Sequence, residues 1–334
     1  MMPLAVSLGD PAGVGPELIA AAWNQRRAAA LPAFVVAGGA GVLASAARSR
    51  GIDLPIQLVA TPAEAAAVFA HTLPVIALSG DDLAYTPGHP NPAGAALALA
   101  SLTKATQLAT SGAACGIVTG PIAKSLLAAV GFAHPGQTEF VAAACGIAAC
   151  DAVMMLAGPN LRTVPITVHT ALSAVPGLLT ADLILRRAAI TAAALIGDFG
   201  LAHPRLAIAA LNPHAGEDGR MGDEEARIIA PAIAALQAQG INATGPHPAD
   251  ALFAPRARAG YDVALCMYHD QALIPLKALD FDAGVNITLG LPIIRTSPDH
   301  GTAFAIAGQN LADPGATIAA IVMAGACANR RAKP

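Results

Sequence analysis

Short apolar runs alternate with longer Ala- and Leu-rich stretches along this chain, and few folds accept that pattern. Residues 4–8, 34–36, 75–78, 115–119, 163–168, 205–211 and 263–267 read as strands. Residues 17–30, 94–110, 180–196 and 224–239 read as helices. The last of these opens on Asp223, Glu224 and Glu225, whose carboxylates suit the positive end of a helix dipole. Such alternation predicts an α/β architecture around a largely parallel sheet. Ligands then bind at the carboxyl ends of the strands, and the chemically distinctive residues of this chain lie just after predicted strands.

Composition narrows the class. The 334 residues are 55% hydrophobic and only 12% charged, which excludes a disordered chain and allows one large or two moderate domains. Aromatics make up 4%, so the core must rest on small and aliphatic side chains. With 19 Lys+Arg against 22 Asp+Glu the formal charge is −3, which argues against a nucleic-acid or anionic-membrane binder. Residues 28–47 are uncharged and of spanning length, but Pro32 and Gly38-Gly39-Ala40-Gly41 make a strand followed by a helix the better reading. No basic stretch precedes the first apolar run, so a signal peptide is not expected and the setting is read as cytoplasmic. Cys115, Cys145, Cys150, Cys266 and Cys327 form no CxxC pair and read as small, buried, reduced side chains.

Two glycine-rich turns follow predicted strands. Gly39-Ala40-Gly41-Val42-Leu43-Ala44 has the form of a dinucleotide fingerprint. The acidic residue due about twenty positions on is missing, since Ile56, Gln57 and Leu58 stand there. A tight strand–helix turn accounts for it. Gly9-Asp10-Pro11-Ala12-Gly13-Val14-Gly15-Pro16-Glu17 is the more unusual turn, bracketing two carboxylates between glycines and prolines.

Of nine histidines, His71, His89 and His203 read as surface residues. His169, His214 and His269 each follow a strand and could converge as three nitrogen ligands of a divalent metal with an open position. Each could equally be a hydrogen-bonded structural residue. Beyond them, Lys277, Asn286 and Arg295 stand in an apolar region, a grouping suited to a phosphate or carboxylate.

Taken together, these strings resemble the 4-hydroxythreonine-4-phosphate dehydrogenase family of pyridoxine phosphate biosynthesis. The resemblance runs from Gly9-Asp10-Pro11-Ala12-Gly13 through Thr119-Gly120-Pro121-Ile122-Ala123-Lys124 and Asn212-Pro213-His214-Ala215-Gly216-Glu217. It continues through Gly245-Pro246-His247-Pro248-Ala249-Asp250, Tyr268-His269-Asp270-Gln271 and Ser297-Pro298-Asp299-His300-Gly301-Thr302 to Ile306-Ala307-Gly308. The stretch 300–314 is also similar to the adenosine-binding loop of isopropylmalate and isocitrate dehydrogenases. The resemblance therefore implies two α/β/α domains with a cleft between them, binding NAD or NADP without a Rossmann fingerprint. It implies a nucleotide-binding domain of residues 1–125 plus 285–334, and a central domain of 126–284 carrying metal ligands and dimer contacts.

Residue by residue, the resemblance implies His169, His214 and His269 as ligands of one divalent metal, zinc, magnesium or cobalt. It implies Lys277, Asn286 and Arg295 as substrate contacts, and His300, Gly301, Thr302, Ala307 and Gly308 as cofactor contacts. Lys124, Asp250 and Asp270 are candidates for proton transfer, and His247 for a supporting contact. A substrate-binding His-Thr pair falls on Gln137-Thr138, and a glutamine can donate a hydrogen bond but cannot carry a proton. Ala305 likewise stands where the family often has an acid. The implied assembly is a homodimer sharing its metal site, with no nucleic-acid or membrane partner. The implied reaction is NAD(P)-linked oxidation of 4-(phosphooxy)-L-threonine to 2-amino-3-oxo-4-phosphooxybutanoate, which loses CO₂ to give 3-amino-2-oxopropyl phosphate. Alternatives are a paralogous dehydrogenase for threonate or erythronate 4-phosphate or a dicarboxylated ring dihydrodiol, and a phosphate acyltransferase of similar fold.

Overall fold

A computed structural model describes residues 2–79, 81 and 83–332. Its strands are β1 (Leu4–Ser7), β2 (Phe34–Ala37), β3 (Ile56–Leu58), β4 (Leu73–Ile76), β5 (Ile117–Thr119), β6 (Val153–Ala157), β7 (Arg162–Pro165), β8 (Leu206–Ala209), β9 (Ala243–His247), β10 (Val263–Cys266), β11 (Val285–Leu289) and β12 (Arg295–Pro298). The chain divides into two compact units, Met1–Ala149 with Leu291–Pro334, and Cys150–Gly290.

In the first unit the strand order is β3-β4-β2-β1-β5-β12, with every neighbouring pair parallel. β1, β2, β4 and β12 are buried at every residue, as strands covered on both faces should be, which is why β1, β2 and β4 read as apolar runs, whereas β12 is the polar sequence Arg-Thr-Ser-Pro. Helices Gly15–Asn24, Ala40–Ser49, Pro92–Thr110 and Gly315–Arg331 belong to this unit. In the second unit the order is β11-β6-β7-β10-β8-β9. β7, β10, β8 and β9 are parallel, whereas β6 runs antiparallel to both β11 and β7. The expected α/β class and its mostly parallel pairing are present, with β6 as the antiparallel exception.

Several expectations change in detail. The domain limits differ from 125/126 and 284/285: residues 126–149 fall in the unit holding both termini. Leu127 and Phe132 enter the core of that unit with Phe140 packed against them, and this burial decides their membership. Val285–Leu289 falls in the central unit because it pairs along its whole length with β6. The helix expected at 17–30 spans Gly15–Asn24, and the chain then turns, with Ala30 in the left-handed region. The stretch 224–239 begins as a π-helical turn, Glu225–Ile229, before the α-helix Ala230–Ala238. Pro231 lacks the amide that an unbroken α-helix needs there. Glu225 is buried and accepts from the Leu211 and Asn212 amides, so it serves the preceding strand rather than a helix dipole.

Residues 28–47 are a strand and a helix, and no helix among the described residues is long and apolar enough to cross a membrane. The Gly39 loop is filled by the protein itself. Asp81 accepts from the Gly39 amide at the start of the helix, and a Cβ at Gly39 would overlap the Leu8 side chain at 2.5 Å. The place where a fingerprint loop would hold phosphate is thus occupied by a carboxylate. The five cysteines form no disulfide among the described residues; Cys266 and Cys327 are buried, but Cys150 is exposed, with Arg186 Nη1 at 3.0 Å from its sulfur.

Candidate active site

Two polar constellations stand out, one in each unit. In the first, Arg295 opens β12 and is 4% exposed. Its Nη2 donates to Thr119 Oγ1 at 2.8 Å and its Nη1 to Thr138 Oγ1 at 3.4 Å. Burial pushes its pKa down to about 10, with Glu139 opposing the shift, so the guanidinium stays cationic at neutral pH. Thr119 ends β5, and Thr138 lies in the first turn of helix Gln137–Ala144. Gln137 Nε2 donates to Gly120 O at 3.0 Å, while its Oε1 is buried without a hydrogen-bond partner among the described residues. A Cβ on Gly136 would lie 3.0 Å from Glu139 Oε2 and 3.6 Å from Lys124 Nζ, so both charged side chains approach this glycine. Lys124, Gln137, Thr138 and Arg295 are therefore brought together around the Thr119-Gly120 strand end. A fixed cation beside hydroxyl and amide groups is suited to a phosphate or carboxylate.

The second constellation follows from strand register. β7 and β10 run parallel at an offset of about a hundred residues, and the pairing continues past both strands. Ile166 N donates to Cys266 O at 2.7 Å, and Thr167 Oγ1 donates to Met267 O at 2.8 Å. Two residues further on, the same offset sets His169 beside His269, with ring centroids 5.6 Å apart. His269 begins helix His269–Asp280, and its Nδ1–H donates to Asp270 Oδ1 at 2.7 Å. That bond orients the ring and leaves Nε2 as its lone-pair donor. Both imidazoles line a cavity of about 330 Å³ with Thr170, Leu172, Tyr268 and Asp270.

Gln271 holds this corner in place. Its Oε1 accepts from Met267 N at 2.6 Å and its Nε2 donates to Ala210 O at 2.8 Å, tying the end of β10 to the end of β8. Gln271→Ala leaves two buried backbone groups without partners and is expected to cost about 2–4 kcal/mol of stability. Denaturant unfolding monitored by circular dichroism checks the value.

The remaining expected residues are placed as follows. His214 is exposed in a run from His214 to Asp218 with positive φ throughout, a conformation costly for non-glycine residues. The run is anchored by Glu225, whose Oε2 would lie 2.7 Å from a Cβ on Gly216. His214 does not line the cavity of His169 and His269, and no group of three His, Cys, Asp or Glu side chains set to hold a metal occurs among the described residues. Asp250 is exposed at the first turn of Ala249–Leu252; Lys277 lies two turns along the His269 helix. Asn286 sits on β11 opposite Leu156, its Oδ1 buried without a partner among the described residues. His300, Gly301, Thr302, Ala307 and Gly308 form a loop after β12 that abuts the Gly9 turn, where Val14 N donates to Thr302 O at 2.9 Å. His247 Nε2 is 2.9 Å from Thr244 Oγ1, and His71, His89 and His203 are exposed. Sequence reasoning missed the roles of Glu139, Thr167 and Glu225, because the groups they meet, Arg295, Met267 and the Leu211 and Asn212 amides, lie elsewhere in the chain.

The family described as "Pyridoxal phosphate biosynthetic protein PdxA" matches residues 30–324. A 4-hydroxythreonine-4-phosphate dehydrogenase of Erythrobacter litoralis is 64% identical over 330 residues, covering 99% of this chain and 98% of that protein. The 1.25 Å crystal structure of the 4-hydroxythreonine-4-phosphate dehydrogenase of Klebsiella pneumoniae superposes with a TM-score of 0.86 at 38% identity, covering 98% of each chain. A terephthalate 1,2-cis-dihydrodiol dehydrogenase of Burkholderia xenovorans is more distant, with a TM-score of 0.66 at 30% identity over 97% of this chain and 98% of that one. Matched along nearly its whole length by sequence and by structure, the chain belongs to the PdxA family of pyridoxal phosphate biosynthetic proteins.

Proposed function

We propose that the protein is a metal-dependent, NAD(P)-linked dehydrogenase that oxidises the C3 hydroxyl of 4-(phosphooxy)-L-threonine. Oxidation would take the proton from the hydroxyl and a hydride from C3, for which a bound nicotinamide dinucleotide would supply the two-electron acceptor, and would leave 2-amino-3-oxo-4-phosphooxybutanoate. This β-keto acid loses CO₂ to give 3-amino-2-oxopropyl phosphate. The observation that carries the reading is the adjacent pair His169 and His269, the latter oriented by Asp270, in one cavity. Paired neutral imidazoles with a carboxylate behind one ring are the donor set of a divalent-metal site. His169 and His269 would hold an ion of zinc, magnesium or cobalt type, which would supply Lewis-acid stabilisation of negative charge on oxygen; His214, exposed outside this cavity, is the third ligand the reading still requires.

The chain's own groups divide the rest of the work. Arg295 and Thr138 hold an anionic group of the substrate, and Gln137 offers Oε1 as an acceptor with its Nε2 already engaged. Lys277 and Asn286 are further substrate contacts. Lys124, Asp250 and Asp270 are the candidate proton acceptors. His300, Gly301, Thr302, Ala307 and Gly308 hold the nicotinamide dinucleotide. The expected compartment is the cytoplasm.

A homodimer is part of the reading. Phe281, Ile274 and Leu172 are 71%, 66% and 64% exposed, and Leu172 borders the cavity of the two imidazoles. Ile274 lies on the helix His269–Asp280, and Phe281 opens the 3-10 turn Phe281–Ala283 just past its end. A second copy would cover this apolar set and help complete the metal site. Sedimentation should give twice the chain mass for the native protein. For Ile274→Arg with Phe281→Arg the expected mass is that of one chain, with activity lost.

A dicarboxylated dihydrodiol is the second reading, favoured by Gln137 and by the likeness to the Burkholderia enzyme. Turnover decides between them. NAD⁺ or NADP⁺ reduction is followed with 4-(phosphooxy)-L-threonine, threonate 4-phosphate and a cis-dihydrodiol dicarboxylate, with and without chelator. Preference for the first substrate, abolished by chelator, is expected; preference for either of the others overturns the proposal.

A further inference from the structure

The loop after β12 is tied at both ends to elements that the reaction does not otherwise use. At its near end the Gly9 turn runs against it: besides the Val14 hydrogen bond, a Cβ on Gly13 would lie 2.7 Å from Thr302 O. At its far end Arg50 Nη1 donates to Ala312 O at 3.1 Å and lies 3.5 Å from Glu17 Oε2. Between these points Val14, Leu18 and Ala307 form a buried cluster against which Ile306 and Ala312 pack. Gly308 adopts φ +74°, and a Cβ there would stand 2.6 Å from Pro87 Cγ, so the loop is closely fitted at this residue too.

Glu17 is 0% exposed. Burial raises its pKa, and Arg50 and the Gly308 amide draw it back down; its Oε2 meets Arg50, while its Oε1 is buried without a hydrogen-bond partner among the described residues. A buried ion pair of this kind is a poor source of stability, since desolvation offsets most of its attraction. It can instead fix geometry, because one nitrogen, Arg50 Nη1, is directed at both Ala312 O and Glu17 Oε2.

We propose that Glu17 and Arg50 are a positioning pair for the dinucleotide, holding residues 302–312 in their binding conformation before the cofactor arrives. The proposal rests on the assignment of His300, Gly301, Thr302, Ala307 and Gly308 to the dinucleotide. Its physical content is preorganisation: loop ordering is completed on folding rather than on binding.

Two measurements on the intact enzyme separate the proposal from that assignment. Amide hydrogen exchange without nucleotide reads the loop, and steady-state kinetics read the cofactor. In Arg50→Ala, exchange across 302–312 should accelerate, and KM for NAD⁺ should rise about tenfold or more. The kcat at saturating NAD⁺ and KM for the phosphorylated substrate should stay within about twofold. Arg50→Lys, which keeps the charge but not the fork, should return only part of the loss. Unchanged exchange at 302–312 overturns the positioning pair whatever the kinetics show. Faster exchange with an unchanged KM for NAD⁺ overturns the assignment of the loop to the dinucleotide, and the pair's role with it. If Arg50→Ala does not fold, Glu17→Gln takes its place, with the same signs, smaller sizes and the same overturning results.

Discussion

Replacing Arg295 with methionine is expected to lower kcat/KM for the phosphorylated substrate several-hundredfold, chiefly through KM. The guanidinium is buried, held by Thr119 and Thr138, and aimed by β12 rather than by a flexible surface loop. Removing a buried, hydrogen-bonded cation from an anion costs about 3–4 kcal/mol, with each 1.4 kcal/mol a factor of ten. Lysine should recover little, because a point charge cannot bond Thr119, Thr138 and an anion in one plane. Stability should change much less than activity. Methionine matches much of the volume, and removing a buried charge is often close to neutral, although Glu139 loses its attractive partner. Initial rates against substrate concentration, with thermal melts of both proteins, check the split. A methionine variant with native KM would remove Arg295 from the substrate site.

His269→Ala should have the larger effect on the chemistry. Loss of one imidazole from a pair is expected to reduce bound metal to a small fraction of the native stoichiometry and turnover by about a thousandfold or more. Asp270→Asn tests the orienting bond separately. The amide still reaches Nδ1 but no longer provides a carboxylate acceptor, and metal affinity should fall about 10- to 100-fold. Elemental analysis after dialysis and turnover at a series of metal concentrations measure both. Added metal should restore the Asp270 variant and leave the His269 variant inactive. Native metal content in His269→Ala would end the reading of this cavity as a metal centre.

The candidates for the site were legible locally. The cations Lys277 and Arg295 stand out in a chain with only 12% charged residues, and His169, His214 and His269 share positions just past strands. Other parts were hidden for physical reasons. β12 was missed because it is the polar sequence Arg-Thr-Ser-Pro, and β9 because Gly245-Pro246 removes both a side chain and an amide. Glu225 reads as a helix-start acid but anchors the backbone before His214, a contact made across 13 and 14 residues. The Gly39 loop has the form of a phosphate cradle, and only the approach of Leu8 and Asp81 shows that it is filled.

The alternation of strand-length apolar runs with helical stretches determined the α/β class, since burial period and turn residues are properties of neighbouring positions. The strings from Gly9 to Gly308 determined the family. Which side chains meet was decided by tertiary structure alone. His169 lies beside His269 because two strands a hundred residues apart pair in one register, and a register depends on which backbone hydrogen bonds the packed sheet can close. Arg295 becomes a buried cation for the same kind of reason: β5 and helix Gln137–Ala144 bring Thr119 and Thr138 to it from 176 and 157 residues away.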